Sequence, residues 1–185
     1  MSRSLMITLL LFLSTSDVSG VADDPVESMA EWSFETSGRV LSHPVHHDGV
    51  VYVGTVDGAF HALESRTGRE LWRFDAPAGI RGGSLVHEGT VFVVAGDGVH
   101  ALDALTGEVV WRTGGVDPSS GEPIDPWDYH TSAPVLHGST LFVGPGSGGA
   151  KGIDIATGDV AARIPALDSA PVRGGLLLAR HPLYF

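Results

Sequence analysis

Asp125, Trp127, Asp128, Tyr129 and His130 place two carboxylates, two aromatic rings and an imidazole within six residues. They close a stretch, 113–130, that holds three prolines and three glycines. That content excludes a regular strand or helix through most of it. Long irregular loops often carry function, and loop aromatics are common anchors for recognition. Burial is the other default use of such rings, with Trp127 and Tyr129 folding the loop onto the body beneath. The acids do not follow the D-x-[DN]-x-[DN]-G spacing of a calcium loop, so they assign no metal.

The remaining chemistry is sparse. Nine histidines are present, but adjacent His46 and His47 on a strand face opposite ways and are poorly set to chelate one ion. His43, His87 and His137 fall on expected inner strands or their turns, and would converge only in a closed ring. Solvated or hydrogen-bonded histidine is the expectation for all of them. The chain has no cysteine, which excludes a disulfide, a thiolate nucleophile and a zinc-thiolate site. The glycine-rich Gly144–Gly149 lies between expected strands and precedes no helix, so it is not a phosphate loop. No G-x-S-x-G elbow occurs. A net charge of −11, with ten arginines and one lysine, argues against nucleic acid as a partner. No catalytic residue and no metal ligand is therefore assigned.

The elements that must position the loop come from a repeat. Val91–Trp111 reads VFVVAGDGVHALDALTGEVVW, and 51–72 reads VYVGTVDGAFHALESRTGRELW. A worn copy, LFVGPGSGGAKGIDIATGDVAA, occupies 141–162. Trp32 to Trp72 is 40 residues and Trp72 to Trp111 is 39. Thr106-Gly107 to Thr157-Gly158 is 51, which places an insertion of 12 residues in the third unit. A period of about 40 with four short strands per unit is the signature of a β-propeller blade. Helical repeats need longer runs of 3.6-residue periodicity than the turns leave room for.

The expected fold is all-β, with three complete four-stranded antiparallel blades and partial ones. Blade units span about 42–75, 82–113 and 131–164, with a partial unit at 169–185 and the insertion at 113–130. Ser42–Val45, Gly82–Val86 and Ser132–Leu136 are the expected inner strands. Trp32-Ser33-Phe34 reads as the outer strand of a preceding unit. An open arc exposes sheet edges that invite association. Three arrangements answer that: a longer propeller of which this chain is part, a small ring closed by Trp32–Glu35, or ring completion by self-association.

Residues 1–22 have the pattern of a signal peptide: Arg3, the short apolar run Leu5–Leu13, and small residues ending at Ala22. The run is too short for a permanent span. Cleavage after Ala22, a flexible acidic lead-in at 23–30 and a periplasmic or secreted mature chain are expected. An uncleaved anchor is the alternative.

The pattern A-x-D-x-x-T-G-x-x-x-W resembles the repeat of the quinoprotein-type (PQQ-like) β-propellers. Ala101, Asp103, Thr106, Gly107 and Trp111 match it in full. Ala62, Thr67, Gly68 and Trp72 match with Glu64 in place of Asp. Asp154, Thr157 and Gly158 remain in the third copy, where Gly152 and Ala162 replace Ala and Trp. The resemblance covers roughly residues 30–180. It implies that Trp111 docks its ring between blades near a Thr-Gly turn, and that Asp103 and Glu64 hydrogen-bond turn backbone. Known members include quinone dehydrogenases, the propeller subunit of the outer-membrane β-barrel assembly machinery, and binding proteins with no quinone. An exported, non-catalytic scaffold that displays loops to a protein or peptide partner is expected, with no cofactor. The alternative is part of a quinoprotein oxidoreductase using pyrroloquinoline quinone and calcium.

Overall fold

Each copy of the repeat folds into one antiparallel meander in a computed structural model, which describes residues 6–7, 31–96, 98–114, 133–144 and 150–164. The first sheet is β3 (Val45–His47), β4 (Val50–Gly54), β5 (Ala59–Glu64) and β6 (Glu70–Asp75). The second is β7 (Ile80–His87), β8 (Thr90–Ala95), β9 (Gly98–Asp103) and β10 (Val109–Gly114). The third is β11 (Val135–His137), β12 (Thr140–Val143), β13 (Ala150–Asp154) and β14 (Val160–Ile164). A two-residue pair, β1 (Met6–Ile7) with β2 (Phe34–Glu35), precedes them. The three blades and their order agree with the repeat.

Both faces of the middle strands are covered, which explains their unbroken apolar text. Tyr52, Phe60 and Trp72 of the first blade pack with Ile80, Val91, Val93 and Leu102 of the second. Phe92, Val99 and Ala101 pack with Leu141, Val143 and Ile153 of the third. The opposite face of the first blade, at Val51, Val53 and Leu63, is closed by Trp32, Phe34 and Val40. Asp48 and Gly49 take φ of 45° and 77°, the left-handed pair that a two-residue hairpin requires.

Four boundaries differ from expectation. β3 begins at Val45 and β11 at Val135 rather than at Ser42 and Ser132. The residue before each start is proline (Pro44 and Pro134), which has no N–H for the ladder. Ser42 closes the gap in the first blade: its Oγ donates to Gly54 O at 2.8 Å and accepts from Gly54 N at 2.9 Å. β7 lacks such a proline and runs Ile80–His87, beyond both ends of the expected Gly82–Val86. Finally, β10 extends through Gly114, so the insertion opens after Gly114 and not at Thr113. Its remainder through 132, residues 8–30 and the partial unit 169–185 lie outside the described residues.

Candidate functional site

The repeat's tryptophans lock each blade to the next. Trp72 Nε1 donates to Ala104 O at 3.0 Å, and Trp111 Nε1 donates to Ile155 O at 2.8 Å. Trp32 does the same one unit earlier, to Ser65 O at 2.9 Å. Beneath each indole lies the glycine of the Thr-Gly turn. A Cβ on Gly68, Gly107 or Gly158 would fall 2.4, 2.6 or 2.7 Å from ring carbon Cε3 of Trp32, Trp72 or Trp111. Those glycines also take φ of 72°, 75° and 79°. Glycine is needed twice over there, for its backbone angle and for the ring's approach.

A bulge precedes Trp72 and Trp111 and recurs in the third blade, where Ala162 stands at the Trp position. Leu71, Val110 and Ala161 are the extra residues in their strands, each one position ahead of the Trp site. The turn itself is held by the acidic residue. Asp103 Oδ1 accepts from Leu105 N at 2.9 Å, Thr106 N at 2.8 Å and Thr106 Oγ1 at 3.1 Å. Asp154 accepts from Ala156 N and Thr157 N in the same way. Glu64, one methylene longer, accepts instead from the Thr67 hydroxyl.

These bonds hold the Asp103 carboxyl below the ordinary carboxylate range, the Thr106 N–H foremost. A depressed folded pKa contributes stability that is present above the ordinary value and lost as pH falls through the folded one. Stability should therefore stay level around neutrality and decline below about pH 4. Asp103→Ala is expected to shrink the difference between urea midpoints at pH 7 and pH 3. An unchanged difference would show that the turn carboxylate does not contribute.

The loop-bearing rim follows from the meander. Within each blade the second connection and the connection to the next blade share one end. At that end backbone hydrogen bonds tie the loops together, and the bond from Ile80 to Thr55 crosses from the second blade to the first. Val56 N donates to Arg39 O at 2.9 Å, Ala76 N to Gly58 O at 2.9 Å, Ile80 N to Thr55 O at 2.9 Å and Gly96 N to Gly79 O at 3.1 Å. Asp57 is the rim's organiser. It accepts from the Thr55 hydroxyl and, at 2.9 Å, from Ser37 Oγ. The Thr55 bond first, and the Ser37 bond with it, hold its carboxyl below the ordinary range against the opposing effect of burial. Both oxygens are engaged within the rim, so Asp57 is placed to fix loops rather than to move protons. The insertion departs from this same end, after Gly114.

Sequence and fold comparisons meet at this architecture. The family profile described as outer membrane protein assembly factor BamB matches residues 16–175. The chain belongs to this family of PQQ-like β-propellers. It is 27% identical over 161 residues to BamB of Nitrosomonas eutropha, covering 84% of this chain and 38% of that protein. It is 36% identical over 104 residues to 1-butanol dehydrogenase (cytochrome c) of Thauera butanivorans, covering 49% of this chain and 15% of that one. The BamB structure from Moraxella catarrhalis superposes with a TM-score of 0.69 at 20% identity, over 85% of this chain and 46% of that chain. The chain thus spans less than half the length of each of these proteins.

Family membership explains where the repeat residues lie. Ala62 and Ala101 are buried on β5 and β9 opposite Trp72 and Trp111, while Thr67, Gly68 and Trp72, their counterparts Asp103, Thr106, Gly107 and Trp111, and the worn set Asp154, Thr157 and Gly158 form blade turns and interlocks. The loop residues Asp125, Trp127, Asp128, Tyr129 and His130 lie outside the described residues. His46, His47, His87 and His137 sit in exposed or half-buried strand and turn positions. His43 is exposed just before β3. Among the described residues no three His, Asp or Glu side chains gather to hold a metal.

Sequence reasoning passed over the two most buried histidines of the described residues. His61 on β5 and His100 on β9 are 3% and 2% exposed. They occupy one repeat position, 39 residues apart. Each ring meets an aromatic of an outer strand: Phe34 lies 5.1 Å from His61 and Phe74 lies 5.2 Å from His100. His61 Nδ1 donates to Glu70 Oε1 at 2.6 Å. Its Nε2 is buried with no hydrogen-bond partner among the described residues. The matching histidine in both repeats was the available signal.

Proposed function

We propose that this chain is an exported, non-catalytic binding module, in which locked blades hold one rim of loops for a protein or peptide partner. The observation that carries the reading is the stitched rim, with Asp57 committed to it and the aromatic-bearing insertion leaving from the same end. Stacked blades remove loop freedom before binding, which lowers the entropy cost of recognition. Trp127 and Tyr129 are the anchors, flanked by Asp125, Asp128 and His130. The match to an assembly factor over most of the chain supports this reading, and the net charge of −11 disfavours nucleic acid as the partner. The mature chain, released after Ala22, works in the periplasm or outside the cell.

The second reading, part of a quinoprotein oxidoreductase, is favoured by the 36% identity to the butanol dehydrogenase. A quinone site with calcium needs several oxygen ligands around one ion. The described residues bring no such set together, so they do not fit the group and no step is derived through it.

A photoreactive residue at position 127, introduced in the native host, should capture a protein, identified by mass. Affinity for that protein should fall at least roughly tenfold in Trp127→Ala/Tyr129→Ala, the scale of a lost hot spot. No captured protein, together with saturable, calcium-dependent binding of pyrroloquinoline quinone, would replace this reading with the second.

A further inference from the structure

The exposed large apolar side chains of the described residues are Leu71, Leu105, Val109 and Val110. All four lie on the perimeter of the first two blades, on outer strands or the turn leading into one. Three of them belong to β10 and its turn: Leu105 is 86% exposed, Val110 60% and Val109 48%. β10 is also an edge, since its sheet runs β10-β9-β8-β7. Edge strands are normally blunted by charge on the strand itself. β6 follows that rule, with Glu70, Arg73 and Asp75. β10, reading VVWRTG, has only Arg112.

The charges that flank β10 make a self-complementary pattern. Antiparallel pairing of two copies about Val110 sets Glu108 of one opposite Arg112 of the other, and does so twice. Opposite charges directly across a ladder stabilise it, and one patch meeting itself about a two-fold is the commonest way homo-oligomers close. Glu108 and Arg112 are exposed, and no ion pair engages either among the described residues. The charges at the matching positions of the first blade are already committed, Arg73 to Asp75 at 2.6 Å and Arg69 to Glu64 at 3.7 Å. Pairing β6 with itself about Leu71 would also set Arg69 against Arg73, a like-charge clash. β14 keeps the flanking charges, as Asp159 and Arg163, but presents Ala161 and Ala162 where β10 presents Val110 and Trp111. The bulge is common to all three outer strands and so does not single out β10.

We propose that β10 is a self-association edge, pairing antiparallel with β10 of a second copy of this chain about Val110, with Glu108 and Arg112 as reciprocal ion pairs. The surface lies on the blade perimeter, away from the loop rim, so the outcome of its test is independent of the partner-binding reading. One strand and a few apolar side chains bury less than the roughly 1,200–2,000 Å² of a standard interface. The dimer is therefore concentration-dependent.

The absence of native cysteine gives a clean test in the full chain. Directly opposed residues of an antiparallel pair have Cα atoms about 4.5–5.5 Å apart, within the span a disulfide bridges. Val110→Cys should oxidise to a covalent dimer, while Leu71→Cys and Ala161→Cys, on the neighbouring outer strands, should not. Glu108→Arg in the Val110→Cys chain should slow cross-linking several-fold, and adding Arg112→Glu should restore it. Circular dichroism should match across the set, because every changed side chain is exposed. Cross-linking through Leu71→Cys or Ala161→Cys equal to that through Val110→Cys would overturn the proposal. So would a Val110→Cys chain that stays monomeric at millimolar concentration, or a charge swap that does not restore the rate.

Discussion

Trp72→Ala should cost the chain about 3–5 kcal/mol of stability, the range for removing a large aromatic from a packed core. The indole is 9% exposed and serves two blades at once. Its ring packs on Tyr52 and Phe60 at centroid distances of 5.8 and 6.0 Å. Its N–H reaches across to Ala104 O, and its face covers Gly107. Trp72→Phe keeps most of the apolar area and gives up the hydrogen bond, so it should lose less, about 1 kcal/mol from the bond alone. Gly107→Ala approaches the same lock from the other side. Its methyl would stand 2.6 Å from the indole, on a backbone with φ of 75°, so it should destabilise the same interface without touching the tryptophan. Urea unfolding of the three variants checks this. A loss below about 1 kcal/mol for Trp72→Ala would mean that the apolar cluster, not the lock, holds the blades together.

Much of this was legible because a propeller writes its architecture as text. Trp111 over Gly158, and Asp103 around its own turn, occur where the repeat placed them. The same positions in successive copies must solve the same packing problem, so one well-preserved copy explains the others. What the text hid has physical reasons. Two inner strands, β3 and β11, start late because proline breaks the backbone ladder, and in the first blade the Ser42 hydroxyl repairs the break from twelve residues away. His61 and His100 were hidden because one histidine in an otherwise apolar strand carries no sign of what covers it. Only the stacking of a second sheet shows that both faces are covered. The acidic-aromatic insertion is the reverse case. Its composition is informative and its placement is not, since no repeat constrains it.

Buried His61 and its exposed partner Glu70 should behave as a unit. His61 lies opposite Val53 and Arg73 in the ladder, with Phe34 edge-on to its ring at 64°. Arg73 is turned to Asp75, so Glu70 alone satisfies the imidazole. Glu70→Ala leaves a buried Nδ1–H with nothing to donate to, which should cost about 1–3 kcal/mol. His61→Leu instead removes the polar group and sets an apolar side chain against Phe34 and Val53. It should cost less than Glu70→Ala, since a shape-matched apolar replacement of a hydrogen-bonded pair can be close to neutral. The double variant should therefore be more stable than Glu70→Ala alone, with a coupling of about 0.5–3 kcal/mol in a double-mutant cycle. Additive losses would sink the argument, because they would show that water reaches His61 once the carboxylate is gone. The coupling lies within the first blade, since β5 and β6 are neighbours in one sheet. The contact across the seam is the ring of Phe34 on His61, repeated by Phe74 on His100. Thr113 stands at the next such position and donates to Gly158 O instead. A coupled pair would therefore hold the imidazole in place for the aromatic that packs on it, so that a polar contact inside one blade helps to fix the seam with its neighbour.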